Sequence, residues 1–164
     1  MVNLLEDIAR IALQERRLAF ARFDAGTAWA LGAALKAMAE ARGAAVTVEI
    51  RVARETIFFF AMPGTTPSNS DWARRKRNTV DLLQRSSYRV GCELKRDGSS
   101  LEETMGLPTR DYASHGGCFP LTLEGAGCIG TVTVSGLPQR DDHNMVVEAL
   151  AGLCGVPLAE VALA

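Results

Sequence analysis

Few side chains in this sequence can carry chemistry. Among 164 residues only His115 and His143 are imidazoles, so proton transfer near neutral pH, or ligation of iron by nitrogen, has to use one or both. His115 lies in Tyr112-Ala113-Ser114-His115-Gly116-Gly117-Cys118-Phe119-Pro120, just ahead of a strand pattern. Paired glycines let the backbone turn tightly and bring its N–H groups close to a ligand, while an imidazole there can ligate iron, donate to a carboxylate or shuttle a proton. The plain alternative is a shaped loop whose histidine caps a carbonyl. His143 follows Asp142, but neighbours on a helix point about 100° apart, so the spacing alone makes no dyad. Val147, Leu150 and Cys154 share its face, which favours a satisfied core or interface histidine over catalysis.

A third constellation is Trp72-Ala73-Arg74-Arg75-Lys76-Arg77-Asn78-Thr79. Four consecutive cations point around a helix, so at least one must face inward or into a cleft. Cations near a helix N-terminus oppose the macrodipole, at a cost of up to about 1 kcal/mol each, which suggests an anionic partner. The bland reading is a solvated face paired with Asp71 and Asp81. The cysteines Cys92, Cys118, Cys128 and Cys154 show no C-x-x-C spacing, so no metal site is expected and reduced, inert thiols are. Cys118 is the one to watch, because it follows the glycine pair. The Pro63–Pro67 loop lacks the lysine ending of a phosphate-binding loop, so nucleotide hydrolysis has no support.

The elements that must position these residues follow from periodicity. Leu4, Ile8, Ile11 and Leu18 mark a first helix capped by Asn3, and Ala28, Leu31, Leu35 and Met38 a second ending at Gly43. Val46 to Val52 alternates as a strand and turns at Arg54-Glu55 into Ile57 to Ala61. A helix capped at Ser70-Asp71 runs to about Tyr88. After a less regular stretch from Lys95 to Tyr112, Cys118–Leu123 and Cys128–Val134 form a second hairpin, and Pro138 opens a last helix. This order predicts a single α+β domain over 1–164, an antiparallel sheet flanked by helices.

Composition narrows the function. A net charge of −1 argues against a nucleic-acid partner. Glu6, Asp7 and Glu15 are not expected in a signal peptide, and the Ile57–Met62 run is too short to cross a membrane. A cytoplasmic protein with no membrane partner is expected.

The motifs also combine. Ala28-Trp29-x-Leu31-Gly32, Ala61-Met62-Pro63-Gly64-Thr65, Asn69, Trp72, Arg75-Lys76, Asn78-Thr79-Val80, Ser86-Ser87-Tyr88, Tyr112, His115-Gly116-Gly117-x-Phe119-Pro120, Ile129-Gly130, Val134-Ser135-Gly136-Leu137-Pro138 and Asp142-His143 follow in order. Across nearly the whole chain this set resembles the uncharacterised branch of the haem-degrading-domain, or HbpS-like, family. The resemblance implies a profilin-like sandwich that assembles into homo-oligomers, dimers or higher. It leaves function open: wider relatives include a secreted haem binder, GlcG-type proteins of glycolate operons and the C-terminal domain of PduO-type cobalamin adenosyltransferases. A eukaryotic relative is linked to protein-targeting chaperones.

The leading expectation is a cytoplasmic homo-oligomeric module for haem or another small anionic ligand. Arg75 and Lys76 would meet carboxylates, His115 would supply a ligand or hydrogen bond, and Trp72 and Tyr112 apolar walls, with Asn78, Gly116 and Gly117 completing the site. One alternative is an enzyme using His115 or His143 for acid/base chemistry on a carboxylate substrate. Another is an oligomeric adaptor whose Pro157–Ala164 tail docks on a neighbour.

Overall fold

The computed structural model describes residues 3–164. Helix α1 (Leu4–Arg17) starts at Asn3, whose side chain accepts from the Glu6 N–H. A two-residue strand β1 (Ala19–Phe20) follows, then α2 (Ala25–Ala41), which opens on a capping box between Asp24 and Thr27. Strands β2 (Thr47–Val52) and β3 (Glu55–Ala61) form a hairpin. Its turn is at Ala53-Arg54, one residue earlier than expected, and both hold positive φ (50° and 69°), the twist that closes a two-residue hairpin.

The basic helix α3 (Pro67–Leu83) is capped at Thr66, whose N–H donates to the Asn69 side chain. It stops where Gln84 turns left-handed, so the single helix expected to reach Tyr88 is two: α4 (Ser87–Asp97) starts anew from a Ser86 cap. The stretch from Lys95 holds the end of α4 and a short α5 (Leu101–Met105). Strands β4 (Cys118–Leu123) and β5 (Gly127–Ser135) precede α6 (Gln139–Cys154) and a final turn, α7 (Leu158–Val161).

The five strands lie in the order β1-β4-β5-β2-β3. All neighbours are antiparallel except β1, which runs parallel to β4 and departs from the all-antiparallel expectation. Helices α2 and α6 pack on one face, where Leu31, Leu35, Val48, Ile50, Phe119, Val132, Val134 and Leu150 form the apolar core. The other face lies under α3. There the polar half of the alternation is buried rather than solvated: Thr47, Glu49, Thr131, Thr133 and Ser135 on the strands, and Lys76 and Thr79 on the helix, are all buried. Glu49 is tolerated because Arg77 reaches both its oxygens, at 2.7 and 2.9 Å.

The C-terminal segment is tied to the chain's own first helix. Val161 is fully buried, its carbonyl accepts from Gln14 Nε2 at 2.8 Å, and Arg17 pairs with Glu160. Val161 thus anchors the segment to α1, while residues 157–160 remain exposed. No helix among the described residues is long and apolar enough to cross a membrane.

Candidate functional site

Helix α3 distributes its cations as a run of four must. Arg74 points outward to Asp71 and Asp111, and Arg77 down to Glu49. Arg75 lies along the Trp72 ring, its guanidinium carbon 3.8 Å from the ring centroid, with Asp71 at 3.2 Å. Lys76 alone turns fully inward.

Lys76 is 4% exposed. Its Nζ donates to Asp142 Oδ2 at 2.9 Å and to the Val134 carbonyl at 3.2 Å. The Asp142 carboxylate also accepts from the N–H groups of Leu137 (2.9 Å) and Gly136 (3.3 Å), fixing the turn from β5 into α6. Burial pushes the Asp142 carboxyl up, and Lys76 with these two donors pulls against that shift. Lys76 is therefore already neutralised, so meeting a ligand carboxylate, the role expected of it, is not open to it without breaking this pair. Asp142 turns to Lys76 rather than to His143, as the 100° offset allows.

The histidine loop is locked over this pair by backbone contacts that only glycine permits. A Cβ on Gly117, which holds φ +128°, would sit 2.3 Å from the Val134 carbonyl and 2.8 Å from Lys76 Nζ; on Gly116 it would sit 2.2 Å from the Gln139 carbonyl, and on Gly91 of α4 2.1 Å from the Ser114 carbonyl. The Gly116 N–H donates to Gln139 Oε1, so it is not free for a ligand as the glycine pair suggested. From the other side, Asn78 donates to the Asp111 carbonyl at 2.8 Å and Ala113 N–H to that of Arg75. Asn78, Gly116 and Gly117 thus hold the site's frame rather than line its cavity. Gly117→Ala is expected to cost at least about 2 kcal/mol, from overpacking plus an incompatible φ, read as a lower urea midpoint at unchanged slope.

His115 stands out from this frame. Its ring meets Trp72 edge to face, centroids 4.8 Å apart, and among the described residues no hydrogen bond contributes to its titration. The residue is exposed overall, yet what burial it has, then the charges of Lys76 and Arg75, hold the imidazole below its ordinary value. That shift favours the neutral ring, which keeps a lone pair. On one side lies a cleft of about 240 Å³ bordered by Asn69, Trp72, Lys76, Gly136 and Gln139. On the other lies one of about 390 Å³ bordered by Trp72, Arg75, Lys95, Leu101 and Tyr112. The structure thus brings Trp72, Arg75, Tyr112 and His115 together, with Lys76 beneath.

His143 is elsewhere. It is 1% exposed, packed on Tyr88 and Phe119, and burial, then Arg140, depress its pKa to about 3. It cannot serve a substrate in either cleft, which corrects its candidacy as an acid/base group. Cys118 is wholly buried, which drives its thiol far up, so it is no nucleophile. The sequence reading missed Gly91, Gln139 and Lys95. Gly91 alone carried a signal, a glycine inside a helix, which calls for a packing reason.

These features define a class: a small α+β sandwich in which one histidine loop is clamped over a buried lysine–aspartate pair. The chain belongs to the HbpS-like family, whose model, described as haem degrading protein HbpS-like, matches residues 23–151. A UPF0303 protein of Azotobacter vinelandii (strain DJ) is 60% identical over 162 residues, 99% of this chain and 98% of that protein. The crystal structure of the Ybr137w protein superposes with a TM-score of 0.84 at 24% identity, covering 90% of this chain and 87% of the other. A PduOC:haem complex superposes at 0.64 with 21% identity, covering 74% and 88%. Both likenesses establish the fold.

Proposed function

We propose that this protein binds a flat anionic ligand of the haem class at His115, as part of a cytoplasmic homo-oligomer. The observation that carries the reading is the placement of His115: free of side-chain hydrogen bonds among the described residues, and set between two clefts beside an aromatic wall and a guanidinium. A haem presents an apolar ring face, an iron that accepts imidazole, and propionates. The residues fit it: His115 would hold the iron, Trp72 and Tyr112 would border the ring, and Arg75 and Lys95 would face the propionates. When bound, the group supplies iron coordination and redox chemistry. The chain's own part is to keep His115 neutral and the loop rigid. Family membership and a structural neighbour solved with haem support the choice.

The test is a haemin titration followed in the Soret band. Wild type should give a saturable shift, His115→Ala should weaken binding at least tenfold and remove the imidazole-ligated spectrum, and Arg75→Ala should weaken binding without changing the ligation spectrum. A Soret shift of equal midpoint and shape in His115→Ala would overturn the reading.

A second reading rests on the smaller cleft, which His115 borders and whose size suits a small hydroxy- or keto-acid with the imidazole as base. Turnover of such acids lost in His115→Ala and retained in His143→Gln would favour it.

A further inference from the structure

The smaller cleft beside His115, about 240 Å³, is walled by hydrogen-bond donors that the protein itself leaves unused. Lys76 carries three N–H groups and commits two, to Asp142 and to the Val134 carbonyl. Ser135 is 3% exposed, borders the cleft, and its hydroxyl makes no hydrogen bond among the described residues. Asn69 and Gln139 are amides whose orientation the backbone sets. Asn69 Oδ1 accepts from the Thr66 N–H at 2.9 Å, and Gln139 Oε1 accepts from the Gly116 N–H at 3.2 Å. Among the described residues neither NH2 group has an acceptor, and both side chains border the cleft. A buried donor without an acceptor is costly, so Lys76 and Ser135 call for an oxygen atom in the cleft. His115 differs from these groups, because its neutral ring accepts a hydrogen bond as well as donating one. Trp72 closes one side.

We infer that this cleft binds a small 2-hydroxy acid, its carboxylate on the NH2 groups of Asn69 and Gln139 and the Ser135 hydroxyl, and its 2-hydroxyl between Lys76 and His115. This assignment rests on the second functional reading for its cleft, but it requires binding alone and no turnover. The carboxylate follows from the surplus of donors and from charge. After burial, it is the positive field of Lys76 and Arg75 that depresses the His115 imidazole, and the same field favours an anion here. Lys76 keeps its pair with Asp142, so its third N–H suits a neutral oxygen rather than a second carboxylate. The hydroxyl follows from having Lys76 and His115 on one cleft. A hydroxyl accepts from the ammonium and donates to the imidazole lone pair, whereas a keto oxygen only accepts. A cleft of this volume holds an acid of a few carbons and not a haem.

The test is a titration with L-lactate, followed through the side-chain amide signals of a nitrogen-15 correlation spectrum. Wild type should give saturable shifts of the Asn69 and Gln139 NH2 pairs. Propionate, which lacks the hydroxyl, should bind roughly tenfold more weakly, and pyruvate about threefold more weakly. Asn69→Asp and Gln139→Glu keep the oxygens that accept from Thr66 and Gly116, in helix first turns that favour an acidic residue, but replace the donors with charge. Each should weaken lactate binding roughly tenfold or more, read from the remaining amide, while circular dichroism stays native. His115→Ala should bring lactate and pyruvate to equal affinity. No saturable shift in wild type, equal affinity for propionate, unchanged lactate affinity in either folded amide variant, or a lactate preference that survives His115→Ala would overturn the proposal. Saturable lactate binding without turnover would uphold it and remove the second reading; turnover of lactate with KM unchanged in Asn69→Asp would do the reverse.

Discussion

Lys76→Met is expected to lower the unfolding free energy by about 3–5 kcal/mol at pH 7, the usual cost of leaving one half of a buried ion pair behind. Asp142 would keep only the N–H donors of Gly136 and Leu137 for its charge, at a fully buried position. Lowering the pH should narrow the deficit. Without the ammonium, the carboxyl rises further above its unfolded value, so the folded variant takes up a proton that the unfolded chain does not, and gains stability as pH falls through that raised value. Adding Asp142→Asn should recover more than half the loss, because an amide oxygen still accepts from Leu137 and no charge remains to bury. Urea melts at pH 7 and pH 5 distinguish this from a packing role for the lysine stem, in which the deficit would not change with pH and the second substitution would rescue nothing.

The second large effect is acid sensitivity at His143. The Gln14 amide is oriented by its Nε2–H, which donates to the Val161 carbonyl, so its Oε1 accepts from His143 Nε2 at 2.8 Å. That leaves Nδ1 buried with no partner and a second proton with no acceptor. The folded-state pKa of about 3 lies below the ordinary 6.5, so between these values the unfolded chain binds a proton that the folded chain refuses. Stability is therefore complete above pH 6.5 and falls by about 1.4 kcal/mol per pH unit below it. From pH 6.5 to 5.0 the loss is about 2 kcal/mol, in a window above the titration of ordinary carboxylates. His143→Gln, which stays neutral, should flatten the slope across that window. An identical slope in the variant would assign the acid sensitivity to other groups.

The fold was legible where hydrophobic period decides structure. Val46 to Val52 and Leu31 to Met38 bury the faces their spacing predicts, and the alpha-plus-beta sandwich follows from element order. What escaped the sequence was set by tertiary contact. Strand β1 is only two residues, held by β4, and no local pattern marks so short a strand. Gln84 breaks the basic helix by adopting a left-handed conformation that glycine more commonly supplies. At the site, four cations in a row forced one inward, but which one, and that Asp142 would meet it 66 positions away, needed coordinates. The glycine pair suggests N–H groups offered to a ligand, yet its tight packing on Val134 and Gln139 serves to hold His115 in place.

Because the chain has only two histidines, a nitrogen-15 imidazole spectrum contains two ring systems, and it reports ligand contact most directly. Titrating histidine-labelled protein with haemin should broaden or shift the His115 ring beyond detection at one equivalent while the buried His143 signals stay in place. Retention of the His115 resonances at saturating haemin, with the Soret band of free haemin unchanged, would contradict a ligand site at that imidazole.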